Sequence, residues 1–581
     1  MAKRSKGCIA VVISFLLVLG MEQLFSIRSE DSLFSNSVTA VLVFGMAAYT
    51  GFRMLEKRTD RRTLILSLTA AGMFSAFMCM GHSLNYVETV WRQEAFVAFV
   101  CICPFLTVVC RSLFLWLGKY EWEVKAMEIP RRRMLVYCGI LLLAWLPALL
   151  ASWPGIYGYD SGHQLNQYWN GSLNAHHPVL HTLLLGITMR MGVNVFGSVQ
   201  VGALIYTLLQ MAVLAAILAF VVYKLEKRGL PRWFCYATLG FYGLHPINSL
   251  MSLAATKDTL FSGFMILLVL QLLELAEAPE QFFGSWKRLG YLALYILAVL
   301  AFRNNAFHML LLFVPFFLWA FRKYWKKAAL VLCGCLALHG ALTGPVYETL
   351  GIGKGDPREM CSVLMQTAAR AYNLVYLDLT EEEKEGFYTV IAQEGLESYL
   401  PRFADPVKAY FDGNKFVEEP RQFLEAWISV GNRHTKIYAD AVLSLTMGYW
   451  YPGAMLPDNS GQVYLEYEAN GNGEELRVEM EPLLKGLNES YVELGNEARH
   501  QNVPVIAFLF SIGTFVWVLL TACFVILQKK KFRAFIPLLP LVLYLGTLFL
   551  GPVVKIRYAY PIIVCLPILV YLMLIKEKQH G

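Results

Sequence analysis

Apolar runs long enough to cross a lipid bilayer recur along the whole chain, and no other feature of the sequence restricts the fold as strongly. Of its 581 residues 57% are hydrophobic, and the mean hydropathy is +0.48. A backbone inside a bilayer must satisfy its own hydrogen bonds, which a helix does within one segment. The sequence therefore predicts an all-α polytopic membrane protein with about fourteen transmembrane helices. The fourteen runs are residues 8–25, 38–53, 63–80, 95–116, 134–152, 200–223, 233–249, 259–276, 287–302, 305–321, 327–343, 504–527, 534–552 and 560–575.

The distribution of Lys and Arg predicts how these helices are oriented. With the N-terminus in the cytoplasm, the cytoplasmic segments carry 29 of these residues, and the short extracytoplasmic connections carry 7. Cytoplasmic loops of membrane proteins are enriched in Lys and Arg. We therefore expect a multi-pass protein of the plasma membrane with both termini in the cytoplasm. The net charge of +7 is assigned to contacts with membrane lipids and not to nucleic acid.

Charge also divides the chain into regions. Residues 344–503 carry a net charge of −13, whereas the rest of the chain carries +20, so we expect a mainly α extracytoplasmic domain there. Within it, Thr380 to Glu383 fits a capping box at the start of a helix. Residues 1–133 are predicted to form accessory transmembrane helices, residues 134–343 the core, and residues 504–581 the C-terminal transmembrane helices.

One predicted loop, residues 153–199, concentrates groups that can transfer protons or stack on a ligand. It follows the apolar run 134–152 and contains one carboxylate and four of the chain's 11 histidines. Such groups suit acid–base chemistry and ring stacking, although an interfacial aromatic belt with incidental histidines has a similar composition. The candidate site residues in this loop are Tyr157, Tyr159, Asp160, His163, His176 and His177.

Three further connections place charged groups at the same predicted face. They contain Lys257-Asp258, Arg303-Asn304 and Arg557-Tyr558. Ionisable groups at membrane depth are costly and by default functional, and arginine binds phosphate through two parallel hydrogen bonds. The alternatives are an interfacial salt bridge, a helix cap at Thr256 and an Arg–Tyr membrane anchor. Since one topology gathers these groups with Asp160, we interpret them as a site for a phosphate that is carried on a lipid tail.

The order of these motifs resembles the GT-C superfamily of polytopic glycosyltransferases, which includes the protein O-mannosyltransferases and the bacterial aminoarabinose lipid A transferase. In that family an outer loop after the first core span bears the catalytic acid, and a motif ending in His-Pro or Lys-Pro opens a helix along the membrane. Tyr159-Asp160-Ser-Gly-His163 and His176-His177-Pro178 are similar to these motifs, and Phe196-Gly197 precedes the next span. Arg557-Tyr558-Ala-Tyr-Pro561 is similar to the family's late R-Y-x-x-P pattern. The resemblance covers about residues 134–343 and 504–575.

This resemblance implies a GT-C-like core and an inverting glycosyltransferase. A sugar would pass from a polyprenyl-phosphate-linked donor to a glycan, lipid or protein acceptor on the extracytoplasmic face, with Asp160 as general base. Many members pair two acidic residues in the first loop, whereas Asp160 stands alone until Asp258. The requirement for a divalent metal is therefore left open. The residues expected to bind substrate are Tyr157, Tyr159, His163, His176, His177, Lys257, Asp258, Arg303, Asn304, Arg557 and Tyr558.

Three other functions fit parts of the same pattern. A transporter or flippase of lipid-linked sugars would also have many spans and intramembrane charge, but usually shows repeated halves and helices broken near the midplane. No internal repeat is visible in the sequence. An O-antigen ligase or polymerase type of enzyme also uses a large outer loop with Arg and His. A scaffold role would leave the charged groups without a task.

Overall fold

The computed structural model describes residues 3–28, 34–158, 160–455, 476–495, 501 and 503–576. It is 79% helical, and within the described ranges there is no strand beyond isolated β-bridges. Eleven described helices are long and apolar enough to cross a membrane, and Asn305–Ala320 and Phe532–Leu548 are shorter apolar helices. The chain is therefore an all-α polytopic membrane protein, as the apolar runs predict.

Four long helices form an N-terminal bundle. Helix α4 packs against both α1 and α3. Small residues permit the close approach, because a Cβ at Gly20 would lie 2.6 Å from Cγ1 of Ile102. The four helices are α1 (Lys3–Arg28), α2 (Val38–Leu55), α3 (Arg61–Val87) and α4 (Gln93–Lys119).

The core is built around helix α11 (Lys257–Glu277), and most of the residues in its apolar part are buried. The last part of the core is one continuous helical segment, in which α15, a π-helical turn (Leu342–Val346) and α16 follow one another without a break. The remaining core helices are α5 (Arg132–Ala151), α6 (Ser161–Trp169), α7 (Val179–Phe196), α8 (Val199–Lys227), α9 (Arg232–Leu244), α10 (Pro246–Leu253), α12 (Pro279–Phe283), α13 (Trp286–Phe302), α14 (Asn305–Ala320), α15 (Trp325–Ala341) and α16 (Tyr347–Thr349).

The predicted span at residues 233–249 is broken in the structure. Helix α9 ends at Leu244, His245 is extended, and α10 begins at Pro246. Proline has no N–H to continue the first helix, and it disfavours helical backbone at the residue before it. The result is a short buried helix, α10, which ends just before Thr256 and Lys257.

Helix α7 packs closely against α8. A Cβ at Gly192 would lie 2.2 Å from the backbone N of Gly202, and His181 Nε2 lies 2.7 Å from the Tyr206 hydroxyl. Helix α7 is long and apolar enough to cross a membrane, whereas the GT-C resemblance implies that it lies along the membrane surface. That placement stays a prediction.

Residues 357–450 form a helical unit with its own core, which includes Met365, Phe387 and Phe423. The capping box is confirmed, since Thr380 and Glu383 each bond the other's backbone N–H. The helices of this 357–450 unit are α17 (Ser362–Val375), α18 (Glu381–Tyr388), α19 (Gln393–Glu397), α20 (Asp405–Lys408), α21 (Gly413–Glu418), α22 (Arg421–Arg433) and α23 (Thr435–Trp450).

The last part of the chain returns to the core. Helix α24 packs on α5, and Glu481 N donates to the Trp153 carbonyl at 2.7 Å. Helices α28 and α29 form one apolar span, Ile556–Leu574, in which the backbone stays helical at Cys565, just before Pro567. The helices are α24 (Lys485–Gly495), α25 (Pro504–Phe510), α26 (Ile512–Lys529), α27 (Phe535–Leu548), α28 (Ile556–Val564) and α29 (Leu566–Leu574).

Candidate functional site

Asp160 lies between two cations from distant parts of the chain. Lys257 Nζ donates to Asp160 Oδ2 at 2.9 Å, and Arg557 donates to the same oxygen at 3.0 Å. Lys257 also donates to His177 Nδ1 at 3.0 Å. The Asp160 side chain is 27% exposed, whereas those of Lys257, His177 and Arg557 are 13%, 6% and 5% exposed. Asp160 is therefore the most exposed of these four side chains, and the groups that donate to it are buried.

A second carboxylate, Asp258, lies behind the first and is fully buried. It forms an ion pair with Arg303, accepts a hydrogen bond from the Thr256 hydroxyl at 3.0 Å, and lies 3.8 Å from Arg557 Nε. Arg557 thus bridges the two carboxylates. We call Asp160, His177, Lys257, Asp258, Arg303 and Arg557 the ion cluster.

Local backbone contacts hold the two halves of the ion cluster together. Ile156 pairs with Ala254 as an isolated parallel bridge, with Ile156 N donating to the Leu253 carbonyl at 3.1 Å. Ala255 N donates back to the Ile156 carbonyl at 2.8 Å. The loop before Asp160 is therefore fastened to the segment just before Lys257.

Two cations hold the Asp160 carboxylate in its ionised form. Burial opposes ionisation, but Arg557 and Lys257 outweigh it and hold the pKa of Asp160 well below its usual range. Burial, together with the Lys257 ammonium, lowers the pKa of His177 to about 2. His177 is thus neutral at pH 7, and because its Nδ1 accepts from Lys257, the ring proton lies on Nε2.

The ion cluster carries an excess of positive charge. It contains two carboxylates, Asp160 and Asp258, against three basic side chains, Lys257, Arg303 and Arg557. Lys555 is nearby, and burial with the neighbouring Arg557 lowers the pKa of this lysine to about 7. A partly buried site with net positive charge favours an anionic ligand.

Several other predicted residues surround the ion cluster. The Tyr558 ring lies 4.6 Å from the Arg303 guanidinium carbon and 4.8 Å from that of Arg557, and its hydroxyl accepts from Arg557 at 3.0 Å. The His176 ring packs edge-on against His177, with centroids 4.6 Å apart. Asn304 donates to the Ala175 carbonyl at 3.0 Å, which ties the turn after α13 to the histidine loop.

Three predicted residues are placed differently. Tyr157 is fully buried, and its hydroxyl donates to the Ala203 carbonyl at 2.7 Å, so in this structure it supports the fold below the site. His163 is exposed on α6, near enough to His177 to depress that ring's pKa. Tyr159 lies outside the described residues.

A buried polar chain beneath the site was missed by sequence reasoning. Gln164, on the helix that begins just after Asp160, contacts His181 at 3.1 Å, and His181 contacts the Tyr206 hydroxyl at 2.7 Å. Tyr206 donates to Gln210 at 2.8 Å, and Gln210 donates to the Ser252 and Ala254 carbonyls at 3.0 and 2.8 Å. The sequence feature that could have indicated this chain is Gln210, an amide side chain inside a long apolar run.

The 357–450 unit and its entry segment contact both walls of the site. Ala175 N, next to His176, donates to the Gly353 carbonyl at 2.7 Å. Ala404 N donates to the Pro552 carbonyl at 2.9 Å, just before the segment that carries Lys555 and Arg557.

Among the described residues no group of three or more His, Cys, Asp or Glu side chains is placed to hold a metal ion. Asp160 and Asp258 direct their oxygens at Lys257, Arg303 and Arg557. This donor set does not fit a metal site, and we derive no step through one.

Comparison with known proteins gives a family for the chain. No curated protein and no solved structure matches it. A family model described as a family of unknown function, DUF6020, matches residues 170–581, which is well over half of the chain. Lys257, Asp258, Arg303 and Arg557 lie within the matched residues, and Asp160 lies just before them. The chain belongs to the DUF6020 family.

Proposed function

We propose that this protein is a membrane glycosyltransferase of the GT-C type. It moves a sugar from a polyprenyl-phosphate-linked donor to a glycan, lipid or protein acceptor on the extracytoplasmic face. The observation that carries this proposal is the position of Asp160 between Lys257 and Arg557, both within hydrogen-bond distance of one carboxylate oxygen. A base beside phosphate-binding cations supplies what a sugar displacement from phosphate needs.

The phosphate of the donor is assigned to the cationic side of the ion cluster. Arg557 offers a planar guanidinium, and Lys257 offers an ammonium with three donors. Both side chains are largely buried, whereas the Asp160 side chain that they contact is 27% exposed. Because the cluster lies where long apolar helices end, a lipid-linked ligand can place its phosphate here and its tail among the helices.

The reaction is a single displacement. The acceptor hydroxyl gives its proton to Asp160 while its oxygen forms a bond to the anomeric carbon. The bond between that carbon and the phosphate oxygen breaks, and its electron pair leaves with the polyprenyl phosphate. Arg557 and Lys257 stabilise the charge that develops on the leaving phosphate. One displacement inverts the configuration at the anomeric carbon.

Donor binding also explains how a strongly ionised carboxylate serves as a base. In the free protein Arg557 and Lys257 hold the pKa of Asp160 well below its usual range, which makes it a weak base. A bound phosphate competes for the same two cations, so the pKa of Asp160 rises towards its usual range. The base is therefore activated only when the donor is present.

A transporter of lipid-linked sugars is the second candidate, because one segment that packs at the core is broken. The break between α9 and α10 at His245 is of the kind that forms transport sites. Tyr560 of α28 donates to Asn248 of α10 at 3.1 Å, so the broken segment packs against α28. The ion cluster, however, lies at helix ends and not along their middle.

The test is sugar transfer by the purified full-length protein in proteoliposomes. Radiolabelled polyprenyl-phosphate sugars are supplied with crude envelope lipids and glycans as acceptors, and both labelled product and released polyprenyl phosphate are measured. Transfer with stoichiometric release supports the glycosyltransferase. Movement of intact donor between leaflets without release supports the transporter.

A matched pair of variants ties the activity to the site. Asp160→Asn should abolish release, whereas Asp378→Asn, an exposed carboxylate of the 357–450 unit, should leave it unchanged. Equal loss in both variants, or in neither, contradicts the assignment.

A further inference from the structure

A basic cleft lies at the end of the helices opposite the ion cluster. Helix α11 begins at the cluster with Lys257 and ends at Glu277, which accepts from Tyr571 near the end of α29 at 3.0 Å. Lys531 donates to the backbone just after α29, at Ile575. The cleft is beside this contact and has a volume of about 740 Å³, between the start of α3 and the ends of α4 and α26.

Cations dominate the polar lining of the cleft. Arg61, Arg62, Lys529 and Lys530 line it together with one carboxylate, Asp60. Asp60 is already engaged, since it accepts from the Thr63 backbone N–H at 3.0 Å.

The four cations differ in their contacts, and the Arg62 guanidinium carbon lies 5.9 Å from the centre of the Phe532 ring. Lys529 is committed to Glu121 at 3.2 Å and to the Met573 carbonyl at 2.9 Å. In the part of the chain that the structure describes, no ion pair links Arg61, Arg62 or Lys530 to a carboxylate. Three like charges around one cleft repel each other, and an anion placed between them would relieve that repulsion.

The cleft continues into an apolar surface of α3. Ile65 lines the cleft and is 53% exposed, and Leu68, three residues further along the same helix, is 56% exposed. Residues three apart lie on one face of a helix. A ligand that fills the cleft would thus meet cations at one end and a lipid-facing apolar stripe at the other.

We propose that this cleft binds the headgroup phosphate of an anionic phospholipid. Arg61, Arg62 and Lys530 contact the phosphate, and an acyl chain lies along Ile65 and Leu68. Free inorganic phosphate shares the headgroup chemistry but has nothing to place on the apolar stripe, so the lipid is the ligand that uses both features. Basic pockets between transmembrane helices bind such headgroups. This site is independent of the glycosyltransferase proposal.

The test is a titration of the purified full-length protein in neutral detergent. Dioctanoyl phosphatidylglycerol, dioctanoyl phosphatidylcholine and inorganic phosphate are added separately, and bound ligand is measured by native mass spectrometry. A cleft variant, Arg61→Gln/Arg62→Gln/Lys530→Gln, is compared with a control, Lys287→Gln/Arg322→Gln/Lys326→Gln. The control removes the same charge from three exposed residues at the same end of the helices.

Wild type and the control variant should bind phosphatidylglycerol alike, and the cleft variant should bind it about 100-fold more weakly, on the order of tenfold or less per cation. Phosphatidylcholine and inorganic phosphate should bind weakly to all three proteins. Equal phosphatidylglycerol affinity in the two triple variants overturns the proposal. Inorganic phosphate that binds as tightly as the lipid overturns the lipid assignment.

The cleft variant must also fold. If it aggregates on size exclusion, the double variant Arg61→Gln/Lys530→Gln replaces it, because both residues are exposed. That variant should bind the lipid at least about tenfold more weakly than the control double variant Lys287→Gln/Lys326→Gln, and equal binding again overturns the proposal.

Discussion

Replacing Arg557 by lysine separates the charge of this residue from its shape. The guanidinium donates to Asp160 at 3.0 Å and to Tyr558 at 3.0 Å, while its Nε faces Asp258 at 3.8 Å. Lysine keeps the charge but lacks the planar fork, so its single nitrogen cannot make two parallel hydrogen bonds to one phosphate. If the donor phosphate is bound through two parallel hydrogen bonds, the variant loses one charge-assisted bond in a site where Arg557 is only 5% exposed.

The expected loss follows from that count. A hydrogen bond to a charged group contributes about 1.5–3 kcal/mol, which corresponds to a donor affinity lower by roughly 10- to 150-fold. The assay is equilibrium binding of a radiolabelled polyprenyl-phosphate sugar to the protein in nanodiscs. Arg190→Lys is the matched control, since Arg190 is exposed on α7 and stacks near Tyr168 away from the ion cluster. Unchanged donor binding in both Arg557→Lys and Arg557→Ala would remove this arginine from the phosphate site.

Gln210→Ala removes the amide donor from the buried Ser252 and Ala254 carbonyls, of which Ala254 keeps a hydrogen bond from Thr256 N. The change should lower the free energy of unfolding by about 1–3 kcal/mol, seen as a lower Tm than in the exposed control Gln422→Ala. Equal Tm values would show that the buried polar chain contributes nothing. Because the pKa of Lys555 is about 7, this lysine loses its charge as the pH rises through that value, so the protein should bind a phosphodiester donor of constant charge more weakly. Lys555→Arg should bind the donor independently of pH over that range. A parallel decline in both proteins excludes Lys555 as the cause of the pH dependence. The native side chain of Leu377 is 94% exposed, so in a cysteine-free background Leu377→Cys should react with an impermeant maleimide in intact cells. Lys326→Cys should react only after the cells are permeabilised. The opposite pattern would show that the predicted topology is inverted.

The coarse fold could be predicted because a lipid bilayer permits few backbone structures. Long apolar runs must become helices, and the capping box from Thr380 to Glu383 is a local pattern that tertiary contacts did not override. Asp160, Lys257, Arg303 and Arg557 were expected at one face because an alternating topology sends every second connection to the same side. The structure brings these four side chains into one cluster.

The details could not be predicted because they depend on contacts between distant residues. Nothing in the loop sequence distinguishes Tyr157, which is buried against Ala203, from an aromatic residue that faces a ligand. The run 233–249 has enough apolar residues for a span, yet Pro246 breaks it where α10 packs into the core. The pairing of Lys257 with both Asp160 and His177 requires the three-dimensional position of α11.

Asp160 is proposed as the general base of a phosphate-linked displacement, and Asp160→Asn tests this role with two readouts. Asparagine keeps the size but cannot take the proton, so turnover should fall by about 10²–10⁴-fold. The same change frees Lys257 and Arg557 from a competing carboxylate, so donor binding should be equal or tighter. Lower turnover with retained or tighter donor binding is the predicted result. A variant that keeps more than about a tenth of the wild-type turnover, with thermal unfolding and donor binding unchanged, would contradict the account and leave Asp258 as the remaining carboxylate of the site.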